Sequence, residues 1–174
     1  MNGNFILNVP PDRRGVIHEN DVMRLKEFRR WREKAFCDNL AADATISASN
    51  TRSGNARFAA EKAIDTDTRT FWAADDTVTT ASLTLSFPEE EKINGAQLRE
   101  YITLGQRVKG FTIEVLTRDG YKQAAAGTTI GNRRIVTFPE SETRSLRITV
   151  EAKECPLISD VQVYHIPDLP GEPG

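Results

Sequence analysis

From Ala44 onward, apolar and polar residues take turns along short runs separated by turn residues. Leu83, Leu85 and Phe87 alternate with Thr84 and Ser86; Phe111, Ile113 and Val115 with Thr112 and Glu114; Leu146, Ile148 and Val150 with Arg147 and Thr149. A period of two puts one set of side chains on each face of a strand, which is the pattern of an antiparallel sheet with one face on a core. The runs 44–49, 81–87, 96–101, 111–116, 134–138, 146–150 and 158–164 are therefore predicted strands of a β-sandwich. Phe58, Trp72, Phe87, Phe111 and Phe138 are its expected aromatic core, and Glu89-Glu90-Glu91 reads as a solvated turn.

The first forty residues have a different period. Asn4–Val9 is apolar on both faces and bounded by Gly3 and Pro10-Pro11, which suits a buried parallel strand. A helix follows, with Asn20 as the expected N-cap, Asp21 in the first turn, and Val22, Leu25, Phe28, Trp31, Ala35 and Phe36 recurring at helical spacing. A buried parallel strand needs neighbours, so this strand and helix read as part of a larger βα structure begun upstream. The expected organisation is strand and helix over 1–40, a linker over 41–43, the sandwich over 44–166, and a flexible Pro/Gly tail over 167–174.

Composition narrows the function. The net charge is −2 with both signs interspersed, which excludes a nucleic-acid groove or a basic membrane face. No apolar run approaches the roughly 18–20 residues that span a bilayer. Cys37 and Cys155 are too few for a disulfide framework or a thiolate cluster and read as free thiols. His18 and His165 lack the spacing of a metal pair or a catalytic base.

Two regions of the chain carry a resemblance. Residues 2–15, Asn-Gly-Asn-Phe-Ile-Leu-Asn-Val-Pro-Pro-Asp-Arg-Arg-Gly, followed by His18–Asp21 and Leu25–Trp31, resemble the end of the catalytic barrel in glycoside hydrolase family 29, the α-L-fucosidases. Residues 63–72, 100–108 and 155–161 resemble the discoidin-like, galactose-binding-like sandwich that follows this barrel in a bacterial subset of those enzymes. The resemblance implies a mainly β fold: an antiparallel jelly-roll sandwich, preceded by a strand and α-helix left over from a (β/α)8 barrel. It implies that the partner is the upstream catalytic barrel of the same polypeptide, in a periplasmic or secreted bacterial enzyme. Retaining hydrolysis needs two carboxyl groups about 5–5.5 Å apart, contributed by several barrel strands. The family's nucleophile and acid/base lie upstream, so this chain alone is expected to catalyse nothing. Asp12 reads as a turn residue and Asn8 as a structural or pocket-shaping one.

Candidate binding residues remain in the sandwich. Asp65-Thr66-Asp67-Thr68-Arg69-Thr70 places alternate carboxylates on a tight loop, the kind of oxygen set Ca²⁺ prefers. The resemblance implies a structural Ca²⁺ held by Asp65, Asp67 and Thr70, with Asp160 as a late acid. The family loop usually has Gly at the place of Thr66, and an Asx turn in which both aspartates cap their own backbone is the other reading. For a sugar, Arg52, Asn55, Tyr101 and Gln106 are loop residues of suitable type. Trp72 reads as a core anchor, and Arg107 as a structural residue making an ion pair or backbone contacts. Three roles stay open: support of the fucosidase barrel, targeting to galactose- or fucose-containing glycans, and a ligand-free interaction domain.

Overall fold

The computed structural model describes residues 6–168. They form two compact units: one holds the chain up to Asp38 together with the stretch from Ile166, the other spans Asn39–His165.

In the first unit, residues 6–10 are irregular, which corrects the strand predicted over 4–9; Asn4 and Phe5 lie outside the described residues. Among the described residues this segment has one bridge, Pro11 to Ile17, and without a neighbouring strand its backbone has no ladder to join. Ile6 is 87% exposed. The Asp12–Val16 turn closes through Asp12 N–H to the Val16 carbonyl at 2.8 Å, with Gly15 at φ 78°. Arg14 holds the Asp12 carboxylate below its ordinary pKa, so Asp12 is the turn residue its setting indicated.

Helix α1 covers Glu19–Ala35. It begins two residues earlier than expected: His18, not Asn20, is the N-cap, its Nδ1 accepting from Asn20 N–H at 3.2 Å. Glu19 and Asp21 then lie in the first turn, where carboxylates favour the helix dipole. On the apolar stripe Ala35 is buried, Val22, Leu25 and Trp31 are half-buried, and Phe28 is 54% exposed. Trp31 stacks on Phe28 with centroids 5.9 Å apart and donates its indole N–H to the Pro167 carbonyl at 2.9 Å.

The second unit is the sandwich. Its described strands are β1 (Thr45–Ala48), β2 (Trp72–Ala73), β3 (Thr80–Glu100), β4 (Val108–Thr117), β5 (Gly120–Gly127), β6 (Arg134–Ala152) and β7 (Leu157–Tyr164), all paired antiparallel. The linker assigned to 41–43 falls inside this unit, where residues 40–42 form a 3-10 turn with Ala41 buried in the core.

Two pairs of predicted strands turn out to be single long ones. The first half of β3 pairs with β1 and the second half of β6; its second half pairs with β7 and the first half of β6. β3 and β6 thus belong to both layers. The register shift between Ser86 and Glu91 lets them turn the corner, as bulges do. Pro88 to Glu90 are exposed at that bulge, so the acidic run lies within a strand rather than on a turn. Strands β2 and β5 escaped the period-two reading: β2 is two residues long, and β5 is the Gly/Ala-rich GYKQAAAG.

The alternation itself is borne out. Leu83, Leu85, Phe87, Phe111, Ile113, Val115, Leu146, Ile148 and Val150 all lie in one buried cluster, with Trp72 fully enclosed. Burying a side chain of that size contributes roughly 1.5–3 kcal/mol each. Phe58 is the exception: it is half-buried and packs on a smaller cluster of Ala73, Cys155 and Leu157.

Candidate functional site

That smaller cluster lies where three connecting segments meet. The first, around 50–58, is tied to the residues after β2. Trp72 donates its indole N–H to the Asn50 carbonyl at 3.0 Å. The Asp75 carboxylate accepts from Ser53 N–H at 2.7 Å and from the Asn50 amide at 2.9 Å, and these donors lower its pKa. Ser53, at φ 50°, makes the turn that carries Arg52 inward.

The second segment, Tyr101–Arg107, is pinned by Glu100. This buried carboxylate accepts from the backbone N–H groups of Arg107, of Val108 at 2.9 Å and of Gly131 at 3.3 Å. The third is the turn between β6 and β7, which brings in buried Cys155.

Together they line a cleft of ≈ 330 Å³ formed by Arg52, Asp76, Leu104, Arg107, Glu154, Cys155 and Leu157. Arg52 Nη2 lies 2.9 Å and Arg107 Nη1 3.1 Å from Cys155 Sγ. Arg52 pairs with Asp76 at 2.6 Å and Arg107 with Glu154 at 3.2 Å. Beside them runs an aromatic chain: the Arg52 guanidinium lies 5.2 Å from the Phe58 centroid, Phe58 is 5.5 Å from Phe71, and Phe71 stacks on Tyr101 at 4.1 Å.

Of the four sugar candidates, the structure brings Arg52 and Tyr101 into this one assembly. Asn55 instead caps a short turn, accepting from Arg57 N–H at 2.9 Å, and Gln106 is exposed on the Tyr101–Arg107 segment. Phe71, Cys155 and Glu100 went unrecognised as site residues because their type and spacing look like ordinary core; only loop convergence gives them a role. Arg107 has the structural ion pair expected of it, and more.

The cation candidates separate. Asp65 accepts from Thr70 Oγ1 at 2.7 Å and from Asp67 N–H at 3.0 Å, and pairs with Lys62 at 3.3 Å. Asp67 pairs with Arg69 at 2.8 Å, which lowers its pKa to about 2. Thr66 has φ 63°, the left-handed conformation for which Gly is the usual choice. Asp160 lies on β7, where the side-chain amides of Gln97 at 3.0 Å and Gln162 at 3.2 Å donate to it, and burial raises its pKa. Among the described residues no group of three or more His, Cys, Asp or Glu is placed to hold a metal ion, so Asp160 does not join Asp65 and Asp67 in such a set. The full four-residue set does not fit a Ca²⁺. The loop oxygens alone would fit one only with Lys62 and Arg69 turned away.

Residues 45–161 match the F5/8 type C domain family. The chain belongs to that family. As an F5/8 type C protein it has relatives that extend beyond the sandwich. It is 33% identical over 165 residues to alpha-L-fucosidase 1 of Arabidopsis thaliana, covering 92% of this chain and 33% of that one. A GH29 fucosidase of Ruminococcus gnavus, solved in complex with fucose, superposes with a TM-score of 0.88 at 28% identity, over 94% of this chain and 34% of the enzyme. The chain thus spans about a third of the length of the fucosidases it matches. A chitosan-binding module from a chitosanase/glucanase of Paenibacillus sp. IK-5 shares the fold alone, with a TM-score of 0.64 at 20% identity over 74% of this chain.

Proposed function

We propose that this chain is the non-catalytic C-terminal segment of an α-L-fucosidase, its F5/8 type C sandwich serving as an accessory domain to the catalytic barrel of the same polypeptide. The observation that carries the reading is the coverage: 94% of the chain, more than the sandwich accounts for, superposes on one third of a fucosidase. The half-exposed stripe of α1 supports it, because a helix that leaves Phe28 in water beside half-buried Leu25 and Trp31 has an apolar face suited to covering by a catalytic domain. Purified chain is expected to release no nitrophenol from a nitrophenyl α-L-fucoside; turnover by a clean preparation would end the proposal.

A second reading, glycan targeting, is favoured by the meeting of Arg52 and Tyr101 on the Phe58–Phe71 pair. Aromatic faces beside fixed hydrogen-bond donors are what sugar rings need. Binding of the chain on a glycan array of galactose- and fucose-terminated structures tests it, and uniform silence leaves the supporting role. A structural Ca²⁺ on the Asp65–Thr70 loop is the third element of the proposal, resting on the convergence of the Asp65 carboxylate, the Asp67 carbonyl and the Thr70 hydroxyl. If it binds, millimolar Ca²⁺ raises the melting temperature and Arg69→Ala enlarges the rise; a flat titration removes it.

A further inference from the structure

We propose that the cleft between Arg52 and Arg107 takes a carboxylate-bearing sugar, the carboxylate seated on the two guanidinium groups and the ring beside the Phe71–Tyr101 pair. The inference rests on the glycan-targeting reading and names its ligand class.

Both guanidinium groups spend donors on a poor acceptor. Arg52 and Arg107 come from separate segments yet converge on one thiol sulfur, at 2.9 and 3.1 Å. A thiol is a weak acceptor, whereas a carboxylate oxygen forms charge-assisted bonds with the planar guanidinium fork. Arg107 Nε is buried with no acceptor among the described residues, so the group is under-satisfied as it stands.

The counter-ions are placed to yield. The Arg52 and Arg107 side chains are 24% and 19% exposed, while their partners Asp76 and Glu154 are 84% and 66% exposed. Acids so far out in water hold their arginines weakly. A ligand carboxylate that also gains ring contact on the aromatic pair replaces them, and Asp76 and Glu154 swing into solvent. Two sheltered cations beside two exposed anions form a seat for an anion, and a neutral sugar leaves that charge unused.

Calorimetric titration of the full chain with D-galacturonate, D-galactose and acetate decides the matter. Galacturonate is expected to bind about tenfold more tightly than galactose, and to weaken as NaCl rises from about 50 to about 500 mM. Arg52→Gln should abolish that preference. Because Arg52 also braces its loop, the rim variants Asp76→Asn and Glu154→Gln provide a second measure: each removes a competing carboxylate and should tighten galacturonate binding about twofold or more. Equal affinity for galactose and galacturonate overturns the acidic ligand while glycan targeting stands. Acetate binding as tightly as galacturonate overturns the sugar part, and rim variants that do not tighten overturn the displacement. Silence with all three ligands overturns the acidic ligand, and the glycan array then decides whether targeting stands.

Discussion

Glu100→Gln tests whether one buried carboxylate organises the cleft. Glu100 is 2% exposed, and its two oxygens serve three backbone donors: Arg107 and Val108 on one, Gly131 on the other. Its own N–H donates to the Gly131 carbonyl at 2.9 Å, so the residue ties the segment after β3 to the segment before β6. Glutamine keeps one acceptor oxygen. If that oxygen stays on Arg107 and Val108, an NH₂ faces the Gly131 N–H, leaving a buried donor unmatched at about 1–3 kcal/mol. The melting temperature should fall by roughly 3–10 °C for a domain of this size. Glu100→Ala orphans all three donors and should lose at least about 3 kcal/mol. Urea unfolding measures the energies, and hydrogen exchange localises them: in the glutamine variant the Gly131 amide should exchange faster while Val108 stays protected. A glutamine variant within about 0.5 kcal/mol of the parent, with unchanged exchange at Gly131, would refute the reasoning.

A Cβ added at Gly127 would sit 2.6 Å from two ring atoms of Phe111, whose side chain is locked in the core, so Gly127→Ala should lower stability by about 1–3 kcal/mol in thermal melts. Thr66, at φ 63°, carries a left-handed penalty of about 1–2 kcal/mol, against about 0.5–1 kcal/mol of extra chain entropy lost by glycine; Thr66→Gly should therefore melt no lower than the parent and above Thr66→Ala. Burial raises the Asp160 pKa, so the folded state holds that proton more tightly than the unfolded chain does. The stability from this group is full below its ordinary value of 3.8 and is lost as pH rises through the raised one. Asp160→Asn should remove this slope and melt higher than the parent at pH 7, with Gln97 and Gln162 turning their amides to suit; a lower melting temperature at every pH would contradict the assignment.

What the sequence determined by itself was whatever depends on local period and turn chemistry. Alternation at Leu83–Phe87, Phe111–Val115 and Leu146–Val150 told which faces are buried, because a strand has only two faces and a core admits one kind of side chain. The helical stripe after Asn20 was equally legible, as was Trp72 as an anchor. Quantities set by long-range pairing were decided only in the tertiary structure. Whether residues 81–87 and 96–101 are two strands or one depends on β6, which runs alongside both and bridges the acidic bulge between them. Whether residues 4–9 form a strand depends on a neighbour to pair with, and among the described residues 6–9 there is none. The cleft was hidden for the same reason. Arg52, Tyr101, Arg107 and Cys155 are spread along the chain, and no spacing rule links them. They meet because Asp75 and Trp72 hold the 50–58 segment, Glu100 holds the Tyr101–Arg107 segment, and backbone bonds from Lys153 to Arg107 and from Tyr101 to Leu157 bring in the Cys155 turn; that convergence is a property of hydrogen bonds across the fold, not of any window along it.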